Sequence, residues 1–319
     1  MLSLSDIQSA RERIGDRVHH TPLLSATRIG ARVGAVLYHK CESLQKTGSF
    51  KVRGAHNRLS LLDQPARARG VITVSAGNHA QALAWASRNE GVRCTVVMPT
   101  TASRTKVDAS RGYGAEVVLY GSSGMEAFAR AHELSVERSL TFVHPFDDDA
   151  IMAGQGTVAL EILDQVDGID DVVVPIGGGG LIGGIAVALK ESKPSIKVYG
   201  VEPTGAAVMR KSLDAGYPVR LESMKTIADG LAAPMAGERT FAIVQKYVDD
   251  VVLVEEEEIM TAMRELLFSA KLLAEPAGAA ATAAIMAGKL KLDGRRVVAV
   301  LSGGNVDAQR VEEVLRGGG

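Results

Sequence analysis

The sequence predicts an α/β protein built on two open, mainly parallel sheets with helices on both faces. Short β-branched runs alternate with helical patterns along most of the chain. Those runs are too apolar for strands with one wet face, so they read as strands covered on both sides. So many strands rarely make one compact open sheet, which argues for two.

The elements follow in order. "MLSLSDIQSARERIG" reads as an amphipathic helix capped near Ser5 and closed by Gly15. "GVITV" (70–74) is a strand, and "NHAQALAWASRNEG" is the helix after it. "RCTVVMP" (93–99) precedes the helical "TASRTKVDASRGYG". "AEVVLY" (115–120) precedes a helix through Arg138, and "TFVHP" (141–145) follows. "DAIMAGQGTVALEILDQV" (149–166) is a long helix. "DVVVPI" (171–176) leads through a glycine run into another helix and then "IKVYGVE" (196–202). "VVLVEEEEI" is a strand whose acidic run at 255–258 opens a solvated helix. An Ala-rich helical region and "RRVVAVLSGG" (295–304) complete the pattern.

Composition narrows the function. The 319 residues are 46% hydrophobic and 23% charged, ordinary for one large or two modest domains. A net charge of −1 offers no footprint for nucleic acid and no polybasic membrane patch. No apolar run reaches membrane-spanning length and no secretory signal opens the chain, so a cytoplasmic location is expected. Cys41 and Cys94 are too few and too far apart for a disulfide framework or metal cluster, and read as reduced thiols.

In such folds ligands bind beyond the carboxyl ends of the strands. Three strand endings combine glycine with small or polar residues: "SAGNH" after 70–74, "GGGG" after 171–176 and "SGGN" after 297–301. The glycine run followed by a helix is a phosphate cradle, because bare backbone N–H groups can turn to an anion at the helix N-terminus. No Gly-Lys-Ser/Thr follows, so it is not a P-loop. Gly178, Gly180 and Gly183 also satisfy G-x-G-x-x-G, and Glu202 ends the next strand. A dinucleotide therefore competes with a lone phosphate group on this segment, and an NAD-dependent oxidoreductase is the remote alternative. Lys51 favours the phosphate group. It follows Phe50 in the small-residue stretch "KTGSFKVRGA", a setting that suits a sheltered, nucleophilic lysine. Pyridoxal phosphate needs both a phosphate cradle and such a lysine.

"ESLQKTGSFKVRGA", "SAGNHAQALAWAS", "HPFDD", "AGQGT", "GGGGL", "TIADG" and "LSGGN" together resemble the fold type II (β-family) pyridoxal-phosphate enzymes, with the tryptophan synthase β-like architecture. The likeness runs from about Thr21 to Asp307 and is greatest to the serine/threonine dehydratase and serine racemase branch. It implies a large cofactor-binding domain from 1–60 and 148–319 and a small mobile domain at 61–147. The resemblance implies a threonine dehydratase without the regulatory domain of the biosynthetic enzymes.

By that resemblance Lys51 is the Schiff-base lysine and the base that removes the substrate α-proton. Phe50 packs on the pyridine ring. Asn78 bonds the cofactor 3-hydroxyl, or caps the following helix, or both. Gly177, Gly178, Gly179, Gly180 and Leu181 hold the phosphate through backbone N–H groups. Ser302 faces the pyridine nitrogen, where a hydroxyl gives a weaker electron sink than a carboxylate and favours elimination over transamination. Gly230 and Glu275 line the cofactor, although Glu275 also suits a helix first turn. Ser75, Ala76, Asn78 and His79 form the turn that receives the substrate carboxylate. His19, His20 and His144 read as structural.

The racemase branch carries a serine where this chain has Ala76, and an aspartate in its cation site where this chain has Val208 after Glu202 and Ala206. Negligible racemisation and no functional metal are therefore expected. The resemblance implies dehydration of L-threonine or L-serine to 2-oxobutanoate or pyruvate plus ammonia. Serine racemase, or a dehydratase of another hydroxyamino acid such as 3-hydroxyaspartate, is the alternative. A homo-oligomer is expected, with a small hydroxyamino acid as the only other partner.

Overall fold

Lys40, a charged residue within a strand, is wholly buried. That one fact explains the main departure from the pattern read in the sequence. The computed structural model describes residues 1–317. In chain order its strands are β1 (Leu23–Ser25), β2 (Val36–Cys41), β3 (Val71–Val74), β4 (Cys94–Met98), β5 (Glu116–Leu119), β6 (Thr141–Phe142), β7 (Asp171–Pro175), β8 (Lys197–Pro203), β9 (Asp250–Val254) and β10 (Arg296–Leu301). β1 and β2 were not foreseen. β2 reads "VLYHKC", and His39 and Lys40 break its apolar run. Both side chains are nevertheless buried: the Lys40 ammonium donates to Glu161 at 2.5 Å, Gln165 at 2.9 Å and the Thr21 carbonyl at 2.7 Å. A buried charge satisfied from distant segments leaves no local signature.

The six-stranded sheet has the order β1-β2-β10-β7-β8-β9, and the four-stranded sheet β5-β4-β3-β6. Only β1 runs antiparallel, against β2. All other pairings are parallel, as runs apolar on both faces require. Val297 of β10 pairs with Leu37 of β2 and with Asp171 of β7, so these three strands lie side by side at the middle of the larger sheet. Their carboxyl ends emerge together. They lead into the segments that hold Lys51, Ser302 and the glycine run.

Helices Asp149–Gln165 and Gly180–Ser192 cover one face of this sheet, together with the N-terminal helix Leu4–Ile14. Helices Glu256–Glu265 and Pro276–Met286 cover the other. The N-terminal helix is capped by Ser3 in a capping box with Asp6, not near Ser5, and ends at Gly15 as read. Helices Lys51–Ser60 and Asn78–Asn89 pack on one side of the four-stranded sheet, and Gly124–Glu137 on the other.

Helix Lys51–Ser60 also crosses Asp149–Gln165, and the crossing depends on two glycines. A Cβ on Gly154 would lie 2.6 Å from the Cα of Gly54, and one on Gly54 would lie 2.8 Å from the Ile151 carbonyl. The backbones touch, which fixes the axis on which Lys51 is carried. Among the described residues no helix is long and apolar enough to cross a membrane. Both cysteines are free and buried.

Candidate active site

Lys51 is the first residue of its helix. The loop before it is stitched to the end of β10: the Phe50 amide donates to the Ser302 carbonyl at 3.1 Å, and the Gly304 amide donates to the Gly48 carbonyl at 2.9 Å. The side chain leaves this clamp with its amine 5.2 Å from the centre of the Phe50 ring. The amine donates to the Pro145 carbonyl at 2.8 Å. Burial pushes the Lys51 pKa down to about 8. That is the direction a nucleophilic amine needs near neutral pH.

β7 ends at Pro175, and the chain turns through Gly177, Gly178 and Gly179 into the helix that starts at Gly180. Gly179 has φ 93°, a left-handed conformation that closes the turn. A side chain on Gly178 would strike the Phe146 ring at 2.4 Å, and one on Gly177 would meet the Gly230 carbonyl at 3.0 Å. The Gly178 carbonyl accepts from the Thr240 hydroxyl at 2.8 Å, which turns it away from the cleft. Among the described residues the amides from Gly177 to Leu181 donate to no backbone or side-chain acceptor. Those of Gly180 and Leu181 are unpaired first-turn donors of a helix, and those of Gly177 to Gly179 belong to the turn that leads into it. The Leu181 side chain itself is buried in the core, so only its amide can contribute.

A hydrogen-bonded chain closes the other side. The Thr47 carbonyl accepts from the Asn305 side-chain amide at 2.7 Å, which also donates to Asn78 Oδ1 at 2.8 Å. Asn78 Nδ2 in turn donates to Glu275 Oε1 at 2.6 Å. Asn78 does not cap its helix: the N-cap is Gly77, with no side-chain cap. Its amide is committed to this chain instead. Glu275 stands just before helix Pro276–Met286 and is buried, which raises its pKa to about 7 against the lowering effect of Asn78. The Ser302 hydroxyl is buried 3.5 Å from the Ala277 carbonyl. The Ser75 hydroxyl accepts from the Gly77 amide at 3.1 Å, shaping the turn through half-buried Ala76. His79 is buried, and desolvation, then the charge of Lys51, keeps it neutral.

Glu202 does not act as a ribose acid. It is wholly buried, and its two oxygens accept from the Met209 and Arg210 amides at 2.7 and 2.8 Å. It satisfies first-turn amides of the helix Val208–Ala215, whose N-cap residue is Ala207, and burial raises its pKa to about 7.

Residues 14–303 match the family described as pyridoxal-phosphate dependent enzyme. The chain belongs to that family. Two curated relatives cover all of it: an L-threonine ammonia-lyase from Thermotoga maritima, 43% identical over 79% of its own length, and the catabolic L-threonine dehydratase TdcB from Staphylococcus aureus, 44% identical over 93%. The solved structure of maize serine racemase superposes with a TM-score of 0.94 at 38% identity, covering 98% of this chain and 97% of that one. The cofactor of this pyridoxal-phosphate dependent enzyme suits the residues present: a sheltered amine, a glycine turn with unpaired amides, and a hydroxyl at the end of the central strand.

Pro145, Phe146, Thr240 and Asn305 escaped the sequence reading. Asn305 was quoted in "LSGGN" but given no role. Pro145 and Phe146 stand in "HPFDD", just past the end of β6, a motif the sequence shows but to which it assigns no role.

Proposed function

We propose that this enzyme deaminates L-threonine, and L-serine, by losing the β-hydroxyl as water and regaining water on hydrolysis, giving 2-oxobutanoate or pyruvate plus ammonia. The observation that carries this is the meeting of a desolvated Lys51 amine, an anion-binding glycine turn and the Ser302 hydroxyl beyond three adjacent strands. Pyridoxal phosphate supplies an aldehyde that condenses with amines and a ring that takes up an electron pair from the substrate α-carbon. Lys51 would hold it through its amine and, when that amine is free, would accept the substrate α-proton. The amides of Gly177 to Leu181 would bind the phosphate, Phe50 would pack on the ring, and Asn78, Gly230 and Glu275 would line it. Ser302 would offer the cofactor a neutral hydroxyl where a carboxylate would hold it protonated, which would make it a weaker electron sink and favour loss of the β-hydroxyl as water. The released enamine tautomerises, and water replaces its nitrogen to yield the keto acid and ammonia.

The turn Ser75–His79 receives the substrate carboxylate on its backbone donors. Residues 61–147 form a small domain that closes over the substrate, and the protein works as a cytoplasmic homo-oligomer. The likeness to maize serine racemase favours a second reading, racemisation, but Ala76 offers no acid or base for the opposite face. Incubation with L-threonine, L-serine and 3-hydroxyaspartate, followed by keto-acid assay, tests the proposal. Turnover greatest with threonine is expected, and no keto acid from any of the three overturns it.

A further inference from the structure

His144, read from the sequence as merely structural, stands where the chain leaves the four-stranded sheet for the larger one. Its Nδ1 accepts from the Phe146 amide at 3.2 Å and the Asp147 amide at 2.8 Å. Asparagine side chains build such turns with a carbonyl oxygen, and here an imidazole nitrogen takes that place. Burial lowers the His144 pKa to about 4, so the ring is neutral, and two incoming donors put its proton on Nε2. Every residue of the turn then does something specific. The Pro145 carbonyl accepts from the Lys51 amine at 2.8 Å. The Phe146 ring lies against Gly178, and its Cβ and backbone lie against Gly180. Asp147 accepts from the Arg239 and Thr240 amides at 3.1 and 3.0 Å, and Thr240 in turn holds the Gly178 carbonyl. Asp148 caps helix Asp149–Gln165 and pairs with Arg58, on the Lys51 helix, at 3.1 Å. One turn thus sets the reacting amine and the glycine cradle relative to each other.

We propose that His144 is a positioning residue for the Lys51 amine, acting through the 144–148 turn that its Nδ1 holds. This rests on Lys51 being the reacting amine. A displaced turn would withdraw the Pro145 carbonyl and shift Phe146 on the cradle, and a misplacement of about 1 Å can cost ~10²-fold in rate.

Two variants separate the acceptor from the packing. His144→Phe keeps an aromatic ring among Phe128, Phe142 and Phe146 but accepts nothing. His144→Asn loses the ring and keeps an acceptor at the same reach. Amide hydrogen exchange at Phe146 and Asp147 is measured in the apoprotein, and the rate of pyridoxal-phosphate capture and the kcat and KM for threonine are measured for each variant. The expected result for His144→Phe is faster exchange at both amides, slower capture, and a kcat reduced ~10–100-fold with KM changed little. His144→Asn should recover exchange protection and most of kcat. Wild-type kcat in His144→Phe, or loss in His144→Asn as large as in His144→Phe, overturns the proposal. So does exchange that responds while capture and kcat do not. Whether Lys51 is the reacting amine is decided separately, by covalent trapping.

Discussion

Asn78 donates to Glu275 at 2.6 Å across 197 positions of sequence, joining a helix on the smaller sheet to the start of a helix on the larger one. The contact couples the two halves of the cleft. Burial of Glu275, against the lowering effect of this contact, makes the fold sensitive to pH by raising the carboxyl pKa to about 7.

The sign follows from that direction. Between about 4.3, the ordinary glutamate value, and about 7, folded Glu275 holds a proton that the unfolded chain has released. Its contribution to stability is present at low pH and lost as pH rises through about 7. Glu202 contributes in the same sense. Glu275→Gln keeps an acceptor for Asn78 and removes one titration. Urea unfolding of the apoprotein should therefore show a smaller stability loss between about pH 5 and 7.5 in this variant than in the wild type. An unchanged loss would contradict the assignment. Glu275→Ala should cost a further ~1–3 kcal/mol by leaving the Asn78 donor unpaired.

Arg53 lies two residues beyond Lys51 and is wholly buried. Its guanidinium grips Glu42 with Nε and Nη2, each at 2.8 Å, and Glu161 with Nη1 and Nη2 at 2.6 and 2.9 Å. Lys40 completes a neutral cluster. Arg53→Ala would strand two buried carboxylates, so a loss of ~3–5 kcal/mol is expected in urea unfolding. Arg53→Lys should not restore it, since an ammonium cannot fork to both partners. A loss under about 1 kcal/mol would show that the cluster relaxes or admits water.

Much of this was legible in the sequence because it depends on local pattern. Runs such as "VITV", "CTVVM" and "RVVAVL" announce strands buried on both faces, and glycine after a strand announces a backbone that must approach something. Ser302 and the glycine turn stand at such ends, and Lys51 shows itself by its small-residue stretch after Phe50. What stayed hidden depends on distant partners. β2 was masked by Lys40, whose counter-charge lies 121 residues away. In "AGQGT", a Cβ on Gly156 would meet the Gly184 carbonyl at 2.8 Å, a helix crossing that no spacing rule reveals. The roles of Pro145 and Asn305 arise only when separate strand ends meet.

Ala76 sits half-buried in the turn that follows β3. Racemisation needs a proton donor on the face opposite Lys51, and a methyl group supplies none. Chiral chromatography after incubation with L-serine should find pyruvate and almost no D-serine. Ala76→Ser should introduce measurable D-serine and lower elimination, since an acid–base group typically contributes ~10²–10⁴-fold. D-serine from the wild type at a rate near that of pyruvate would move the function toward racemase.

Glu202 offers a cation little. Both oxygens already accept backbone amides, and Val208 stands where a second carboxylate would be needed. Threonine turnover should be unchanged by a chelator. A several-fold loss restored by Mg²⁺ or Ca²⁺ would contradict this.

Covalent trapping tests the central claim most directly. The holoenzyme is reduced with borohydride and digested, and the peptides are mapped by mass spectrometry. The cofactor mass is predicted on the peptide containing Lys51 and on no other, with Lys51→Ala unlabelled and forming no keto acid. Label on a different lysine, or normal turnover by Lys51→Ala, would contradict the account.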